Sequence, residues 1–589
     1  MKFLLVGINA KYIHSNPAVY SLKAYAGEGY EKEIEIAEYT INNRLEEVLS
    51  GIYERCPDVA AFSCYIWNWN FVRELTEELH KIKPQLPIWL GGPEVSFDAE
   101  EILRVCPWIT GIMIGEGEET FRELLDYYKG GDSKEGSIGL EDIQGIVCRI
   151  GNRILRTEER APMDMNRLPF LYRDRENFEN RIIYYESSRG CPFRCSYCLS
   201  AIDKSVRFRD MDTVKRELQF FLDEAVAQVK FVDRTFNCSH SHAMEIWEYI
   251  HRHDNGITNF HFEIAAEKLD EEEINLLEKM RPGLVQLEIG VQSANPETLS
   301  EINRQADMGR LEKIVNSIRK GGNVHLHLDL IAGLPFEGYE SFGKSFDVVY
   351  SMKPEQLQLG FLKVLKGSPM HERAQGYGIK YTSRPPYEVL CTSWLSFEEI
   401  CRLKRIEEVV ELYYNSNQFT HTLPVLGKSF DGAFAMFEKL AEYYKEKGYF
   451  TNNPSRVYRY EVLLEFALIY GKGEEGLYKE LLTYDIYLRE NMKSRPGFAR
   501  DLEGYKGRFR EFYNDAFRLR KILPGYGEFQ PRQIARMTHL EMFSYPVWES
   551  RGGAEWKMEK LAEQRMVLFD YRKRSPLTNE AEVRVVEDA

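Results

Sequence analysis

The sequence predicts an α/β protein in three parts: an N-terminal doubly wound Rossmann-like domain, a central partial (β/α)6 TIM-like barrel, and a mainly helical C-terminal domain. Short apolar runs alternate with helical stretches over residues 1–130, and strands with one polar face alternate with helices over 181–385. From residue 386 to 589, apolar residues recur mainly at spacings of three and four. A chain of 589 residues is too long for one compact core, which agrees with several domains.

Composition narrows the class of protein. Hydrophobic residues make up 43% and charged residues 29%, as in an ordinary globular protein, and the net charge of -15 argues against broad electrostatic binding to nucleic acid or anionic membranes. No run approaches the roughly 20 apolar residues that span a bilayer, and the apolar start is too short for a signal peptide. Ten cysteines, seven of them scattered singly, predict a reducing, cytoplasmic location.

The first domain, residues 1–130, is predicted from four short apolar runs, most of which end in small residues. In a doubly wound sheet, ligands bind at the carboxyl ends of the strands, where glycines let the backbone approach closely. The alternative is a domain of the same shape that binds nothing, or that binds the substrate. The predicted strands are 3–8, 59–63, 88–92 and 112–115, and the predicted helices include 70–83 and 118–128.

The predicted linker and the C-terminal domain contain no candidate site residues. Residues 131–180 are predicted to be a linker that begins at Gly131-Asp132-Ser133 and holds a strand pair around 146–148 and 154–155. The C-terminal domain is predicted to contain helices over 396–414, 430–447 and 459–469, with a small hairpin from 566–571 and 583–586.

Three cysteines form a Cys-x3-Cys-x2-Cys loop directly after an apolar, β-prone run over 182–185: Cys191, Cys195 and Cys198. Thiolates select iron-sulfur clusters, zinc or copper. No further Cys or His lies at the usual spacing for structural zinc, and a cubane cluster normally takes four cysteines. Three ligands therefore indicate a cluster with one iron left open. A zinc site and three unrelated thiols remain as alternatives.

The central strands alternate polar and apolar residues, which is unusual for buried parallel strands. The segments are 260–264, 286–292, 325–330 and 356–359, with helices such as 271–280 and 308–320 between them. Helices packed outside a parallel barrel would cover the apolar faces, and the polar faces would line a cavity suited to a polar ligand. Antiparallel strands with one wet face are the alternative, but they would not need a helix between each pair.

The cysteine loop, with aromatic Tyr197 before its last cysteine, resembles the signature of the radical S-adenosylmethionine (SAM) enzymes. This resemblance implies that Cys191, Cys195 and Cys198 hold a 4Fe-4S cluster and that SAM chelates the open iron through its amino and carboxylate groups. It also implies reductive cleavage of SAM to a 5'-deoxyadenosyl radical, with the electron supplied by a reductant protein such as flavodoxin or ferredoxin.

Further positions match SAM contacts in radical SAM enzymes of the coproporphyrinogen-oxidase type. An arginine can pair with the SAM carboxylate, and acidic and amide groups can bind its amino group and ribose hydroxyls. One departure concerns the end of the second strand, where related enzymes often have two acids and this chain has Asp233 followed by Arg234. The matching residues are Tyr197, Glu263, Gln292, Arg304 and Asp329.

Two glycine-containing pieces, Gly91-Gly92-Pro93-Glu94 and Gly115-Glu116-Gly117-Glu118, resemble the cobalamin-binding domain that precedes the radical domain in one large subgroup, the class B type. The Asp-x-His-x-x-Gly loop of other cobalamin proteins is absent, so His14 is not assigned to cobalt. The resemblance implies cobalamin contacts from Gly7, Asn9, Ser63, Gly91, Gly92, Gly115, Glu116 and Gly117.

By resemblance, the chain is a cobalamin-dependent radical SAM methyltransferase acting on an unactivated carbon of an unknown substrate, with an uncharacterised helical C-terminal domain. A radical rearrangement, cyclisation or oxidation without methyl transfer is the second hypothesis, and a non-catalytic cobalamin or SAM sensor is the third. Three lumen residues, His261, Glu288 and His327, are candidates for substrate contact or for support of SAM. A methylthiotransferase is disfavoured, because Cys56, Cys64, Cys106 and Cys148 do not resemble its second cluster motif.

Overall fold

The computed structural model describes residues 1–10, 14–27, 29–130, 139–173, 178, 181–202, 205–555 and 559–586. The start of the predicted linker, residues 131–138, lies outside this described part. No helix in these ranges is both long and apolar enough to cross a membrane.

A seven-stranded sheet forms the N-terminal domain. Alternate residues of its first strand pack into two separate hydrophobic clusters, with Leu4 and Val6 in one and Phe3 and Leu5 in the other, so helices cover both faces as the doubly wound prediction requires. The strands are β1 (Phe3–Asn9), β2 (Ile34–Thr40), β3 (Val59–Ser63), β4 (Ile88–Gly91), β5 (Gly111–Met113), β6 (Ile146–Ile150) and β7 (Arg153–Arg156). The helices are α1 (Pro17–Ala26), α2 (Leu45–Glu54), α3 (Trp69–Ile82), α4 (Pro93–Ser96), α5 (Ala99–Val105) and α6 (Glu118–Gly130).

The strand order is β2-β1-β3-β4-β5-β6-β7, and the sheet contains three strands that were not predicted as part of it. The edge strand β2 was not among the predicted strands. The predicted strand pair of the linker exists as β6 and β7, but β6 pairs antiparallel with β5 and extends the first sheet. Ile146, Val147 and Cys148 are fully buried there, which explains why the pair joins the sheet.

A partial barrel of six parallel strands follows, in the order β15-β14-β13-β12-β11-β8. This confirms the predicted (β/α)6 architecture. Its strands are β8 (Ile183–Tyr185), β11 (Gln228–Phe231), β12 (Asn259–Ile264), β13 (Val285–Gln292), β14 (His325–Ala332) and β15 (Gln356–Phe361), and the short β9 (Ser188–Arg189) pairs with β10 (Arg207–Phe208). The helices are α7 (Met211–Asp223), α8 (His240–Arg252), α9 (Glu271–Glu278), α10 (Pro296–Glu301), α11 (Met308–Gly321), α12 (Tyr339–Ser351) and α13 (Pro369–Arg373).

The C-terminal region is mainly helical and shares one hydrophobic core with the barrel, in which Phe346 of α12 packs against Phe434 and Phe437. The predicted hairpin is present, and an additional strand makes it a three-stranded antiparallel sheet. The three strands are β18 (Thr538–Phe543), β19 (Arg565–Arg574) and β20 (Ala581–Val586), and a separate antiparallel pair consists of β16 (Lys380–Tyr381) and β17 (Val389–Cys391). The helices are α14 (Phe397–Val410), α15 (Thr422–Gly427), α16 (Ala433–Glu446), α17 (Tyr458–Tyr470), α18 (Glu475–Arg489), α19 (Lys506–Asn514), α20 (Ala516–Ile522) and α21 (Pro531–Met537).

The N-terminal domain contacts the barrel along β8, the strand at the end of the barrel sheet. The backbone N–H of Ser15 donates to the carbonyl of Ile182 at 3.1 Å, and the N–H of Tyr184 donates to the Ser15 hydroxyl at 3.1 Å. Arg181 forms an ion pair with Glu38 of β2. The chain just after β1 thus occupies the free edge of β8.

A second contact joins α4 to the segment that closes the barrel. Tyr387 donates a hydrogen bond to buried Glu94, and Lys366 Nζ lies 2.7 Å from a carboxylate oxygen of Asp98. The same closing segment reaches the cysteine loop, because the N–H of Met370 donates to the carbonyl of Ser196 at 2.8 Å. Residues 366–370 therefore contact both Asp98, just after α4, and the cysteine loop.

Candidate active site

The three cysteines lie in the loop at the carboxyl end of β8. All three thiols are free; Cys195 is buried, and Cys191 and Cys198 are half-buried. Cys191 Sγ lies 3.5 Å from Thr235 Oγ1, which follows β11. The loop is fixed from its other side by the N–H of Ser196, which donates to the carbonyl of Ile302 at 3.0 Å. Three soft thiol donors in one ordered loop fit an iron-sulfur cluster with one open iron.

Near the end of β13, Gln292 Oε1 and Arg304 Nε of the predicted SAM ligands are buried polar atoms with no hydrogen-bond partner among the described residues. Both side chains meet at Gly290, whose carbonyl accepts a hydrogen bond from Arg304 and where an added Cβ would lie 2.2 Å from Gln292 Nε2. Because buried polar groups are nearly always satisfied in native proteins, these two atoms indicate a polar ligand at this point. The Arg304 guanidinium also lies beside Cys195, where it opposes the effect of burial, which raises the pKa of that thiol.

The other predicted SAM ligands lie deeper in the lumen or beside the cysteines. Burial raises the pKa of Glu263 to about 7, and it raises the pKa of Asp329 despite His327, whose Nε2 lies 3.0 Å from the Asp329 carboxylate. Tyr197 is half-buried next to Cys195, and burial raises its pKa. Two acids whose charged form is disfavoured by burial suit a cationic group such as the SAM ammonium.

The lumen candidates His261, Glu288 and His327 are brought together across neighbouring strands. Glu288 Oε2 lies 3.0 Å from His261 Nε2 and 3.0 Å from Lys230 Nζ. Burial raises the pKa of Glu288, but these two neighbours outweigh burial and lower it to about 2. Lys230 was not predicted; its alternation with Val229 and Phe231 is the signal that places it inside, but β11 has only four residues.

A cavity of about 640 Å³ lies between the carboxyl ends of β3, β4 and β5 and the start of the cysteine loop. This volume is in the range of ligand and cofactor sites. Six of the eight predicted cobalamin residues line it: Ser63, Gly91, Gly92, Gly115, Glu116 and Gly117. Gly92 and Gly115 have φ of +114° and +74°, so both turns depend on glycine. Glycine turns without side chains fit a large, flat cofactor that needs close approach to the backbone.

Two predicted cobalamin residues, Gly7 and Asn9, are not among the lining residues. The Asn9 amide donates to Glu38 at 3.0 Å, and its oxygen accepts from Asn16 at 2.9 Å. Asn16 also fills the space above Gly7, where a Cβ would lie 2.8 Å from the Asn16 amide nitrogen. The Asn16 side chain therefore lies between the end of β1 and the cavity.

Glu116 lines the cavity but already has protein partners. Its carboxylate lies 2.6 Å from the Arg207 guanidinium and accepts the N–H of Met163 at 2.8 Å, which helps lower its pKa against the effect of burial. His14 also lines the cavity, with Nδ1 2.8 Å from the Ser15 carbonyl oxygen. These contacts give Glu116 a role in joining the first sheet to the barrel.

Sequence reasoning missed an aromatic wall of this cavity. Tyr65 and Trp67, in the loop after β3, stack with ring centroids 4.4 Å apart and planes 5° from parallel. The sequence signal is the aromatic-rich run that follows Ser63. A flat apolar face beside the two glycine turns adds to the fit for a macrocyclic cofactor.

Three family models match the chain: "B12 binding domain" over residues 4–125, "Radical SAM superfamily" over 185–349, and "Protein of unknown function (DUF4080)" over 375–569. The first two matches confirm the predicted resemblance. They also fix the cofactor set, which is a 4Fe-4S cluster, S-adenosyl-L-methionine and cobalamin.

Curated relatives of this chain have names of different activities. A 2-(S-pantetheinyl)-carbapenam-3-carboxylate methyltransferase of Streptantibioticus cattleyicolor is 22% identical, covering 65% of this chain and 57% of that protein. An anaerobic magnesium-protoporphyrin IX monomethyl ester cyclase of Cereibacter sphaeroides is 22% identical, covering 54% of this chain and 53% of that one. The chain thus spans little more than half the length of these curated relatives.

Among solved structures, the cobalamin-dependent SAM radical enzyme OxsB with aqua-cobalamin bound matches 82% of this chain and 78% of its own, at 15% identity and a TM-score of 0.57. This likeness supports the fold, in which a B12-binding domain precedes a radical SAM barrel. The chain therefore combines an N-terminal B12-binding domain, a radical SAM domain and a mainly helical C-terminal region that matches a family of unknown function.

Proposed function

We propose that this enzyme methylates an unactivated carbon of its substrate. When bound, the cluster and SAM supply a 5'-deoxyadenosyl radical that removes a hydrogen atom, and cobalamin supplies the methyl group. The observation that carries the proposal is that Ser188, Arg189 and Gly190, directly before Cys191, line the same cavity as the glycine turns Gly92 and Gly115. One cavity therefore extends from the glycine turns to the start of the cysteine loop, which suits a reaction that uses both cofactors in sequence.

Each group of residues has a distinct task in this proposal. Cys191, Cys195 and Cys198 hold the cluster, and Arg304 with Gln292 binds the carboxylate and amino end of SAM. The aromatic wall of Tyr65 and Trp67 and the glycine turns hold cobalamin and exclude water from the space between the cofactors. We also propose the domain limits predicted from the sequence: 1–130 for the cobalamin domain, 131–180 for the linker, 181–385 for the barrel and 386–589 for the C-terminal domain.

The cluster needs an external electron, and we propose an acidic carrier such as flavodoxin or ferredoxin in a reducing cytoplasm. All ten cysteines are free, which supports that compartment. Beside the cluster loop, Arg194 is exposed, and Lys268 Nζ lies 5.6 Å from the Phe193 ring centroid. Two cations at the cluster, in a chain of net charge -15, suit a negatively charged partner.

The second candidate function is a radical cyclisation, rearrangement or oxidation without methyl transfer. It is favoured by the relative named as a cyclase, which is 22% identical over 54% of this chain. The two functions differ in one product: methyl transfer consumes a second SAM to S-adenosylhomocysteine, whereas the alternative yields 5'-deoxyadenosine alone. A non-catalytic sensor would yield neither.

The test is anaerobic reconstitution with iron, sulfide and hydroxocobalamin, followed by reduction in the presence of SAM and analysis of both nucleoside products. We expect 5'-deoxyadenosine and S-adenosylhomocysteine from the wild type. Cys195→Ala should form neither while retaining cobalamin, and the matched control Cys401→Ala, a half-buried cysteine of α14, should behave as wild type. Wild-type protein that binds neither cluster nor cobalamin would contradict the proposal.

A further inference from the structure

Arg234 is a charged residue of the cavity that the mechanism above does not use. It follows β11 at the position where related enzymes often have an acid, and it is exposed into the cavity. Its guanidinium has no hydrogen bond or ion pair to any residue that the structure describes. An unpaired guanidinium at the mouth of a barrel that binds a polar ligand is itself a candidate ligand contact.

The other charged side chains of the cavity are already paired. Arg189 lies 2.8 Å from Glu186 and 3.1 Å from Glu118, and Arg209 lies 2.6 Å from Glu217. Besides Glu186, Glu118 and Glu217, the cavity wall contains one more acid, Glu116, which forms an ion pair with Arg207. Among the described lining arginines, Arg234 alone therefore offers a free positive charge to the cavity.

The backbone that carries Arg234 is held on both sides. Asp233 is fully buried and accepts hydrogen bonds from the Ser187 N–H at 3.0 Å, the Ser187 hydroxyl at 2.7 Å and the Ser188 hydroxyl at 2.5 Å. Thr235 contacts Cys191. Asp233 is thus held by the chain just before the cluster loop, and Thr235 contacts the loop itself.

The guanidinium is also electrostatically coupled to both halves of the active site. Burial raises the pKa of Tyr65, in the wall of the cavity, and Arg234 opposes that rise. Arg234 likewise lowers the pKa of Glu263 inside the barrel, where burial has the larger, opposite effect. The positive charge of Arg234 therefore acts on Tyr65 in the proposed cobalamin site and on Glu263 in the proposed SAM site.

We propose that Arg234 binds an anionic group of the substrate, a carboxylate or phosphate, and so positions the substrate between the two cofactor sites. This inference rests on the proposed function, because that function makes the cavity the meeting place of substrate and cofactors. A planar guanidinium binds such groups through two parallel hydrogen bonds, which fixes orientation as well as affinity. An acid at this position, as in related enzymes, would repel the same group.

The test uses benzoate as an anionic probe and benzamide as its neutral isostere, titrated into the reconstituted protein by ligand-observed NMR. We expect wild type to prefer benzoate by about ten- to a hundred-fold, the range for hydrogen bonds to a charged group. In Arg234→Gln the preference should fall to about one, and in Arg234→Lys a part of it should remain. The control is Arg153→Gln, an exposed arginine of the edge strand β7 that should leave the preference unchanged.

Three results would overturn the inference. Wild type could bind both probes equally, or Arg234→Gln could keep the preference for benzoate. Arg234→Gln could also lose hydroxocobalamin affinity by the same factor, which would assign the guanidinium to the phosphate of the cofactor. Circular dichroism of each variant separates these results from misfolding, and Arg234→Lys supplies the comparison if the glutamine variant does not fold.

The probe titration also separates this inference from the proposed function. If 5'-deoxyadenosine forms but benzoate is not preferred, the anion site is wrong and the function stands. If benzoate is preferred but neither nucleoside product forms with SAM and reductant, the function is wrong and the anion site stands.

Discussion

Replacement of Gly92 by alanine should damage the cobalamin site through the backbone alone. A Cβ at this position would lie 2.4 Å from the carbonyl oxygen of Cys64, and real Cβ contacts stay above 3.0 Å, so the ends of β3 and β4 must separate by at least about 0.6 Å. The φ of +114° is in addition unfavourable for an L residue. Strain of this kind costs on the order of 1–3 kcal/mol, which corresponds to about 5- to 150-fold in an equilibrium constant.

The assay is equilibrium binding of hydroxocobalamin, followed by its absorbance, together with the thermal unfolding midpoint of each variant. We expect Gly92→Ala to lose about one to two orders of magnitude in affinity. Gly115→Ala is the matched control, because it lines the same cavity at a φ of +74° but has no atom within 4 Å of the added Cβ. Its cost should be only about 1 kcal/mol, from the left-handed backbone.

Two outcomes would refute this reasoning. If Gly92→Ala binds cobalamin like wild type and unfolds at the same temperature, the turn does not have the geometry described. If Gly115→Ala is impaired at least as strongly as Gly92→Ala, contact with Cys64 is not the cause.

Three further predictions concern charge. Glu288→Gln should cost up to about 3 kcal/mol at pH 7, because a pKa lowered from 4.5 to about 2 is worth about 1.4 kcal/mol per unit. A depressed carboxyl pKa stabilises the folded state fully above about pH 4.5 and progressively less as the pH falls towards 2. The difference in free energy of unfolding between Glu288→Gln and wild type, measured by urea unfolding, should therefore be smaller at about pH 4 than at about pH 7. Tyr387→Phe leaves Glu94 without its donor, and thermal unfolding should reveal a loss of about 1–3 kcal/mol, whereas an unchanged midpoint would argue against this contact. Arg194→Glu should slow cluster reduction by flavodoxin at low salt but not by dithionite, and equal slowing with both reductants would exclude a docking role.

Much of the architecture could be predicted because it depends on periodic burial. Alternation along β12, β13 and β14 placed His261, Glu288 and His327 inside the barrel, since side chains on one strand face must share an environment. Strands β3 and β4 were found as continuous apolar runs buried on both sides. The edge strand β2 was missed because both of its faces are only partly buried, so its hydrophobic pattern is weaker.

Contacts between distant segments could not be predicted in the same way. The residues at the end of β1 look like ligand contacts in any doubly wound sheet, but Asn16 comes from the next helix entrance and occupies the place beside Gly7. Glu116 matches a cobalamin motif, and only the folded chain reveals Arg207 as its partner. That Arg234 has no ion-pair partner among the described residues can be recognised only from the folded structure, where the neighbouring acids are seen to pair with other arginines.

The seam between Ser15 and β8 bears on how this protein can be divided. A barrel expressed without the first domain would present the backbone N–H of Tyr184 and the carbonyl of Ile182 to solvent on a bare sheet edge. Such edges recruit strands from other molecules. Fragments that begin near residue 181 should therefore self-associate, and a workable truncation for mechanistic study has to keep the B12-binding domain attached.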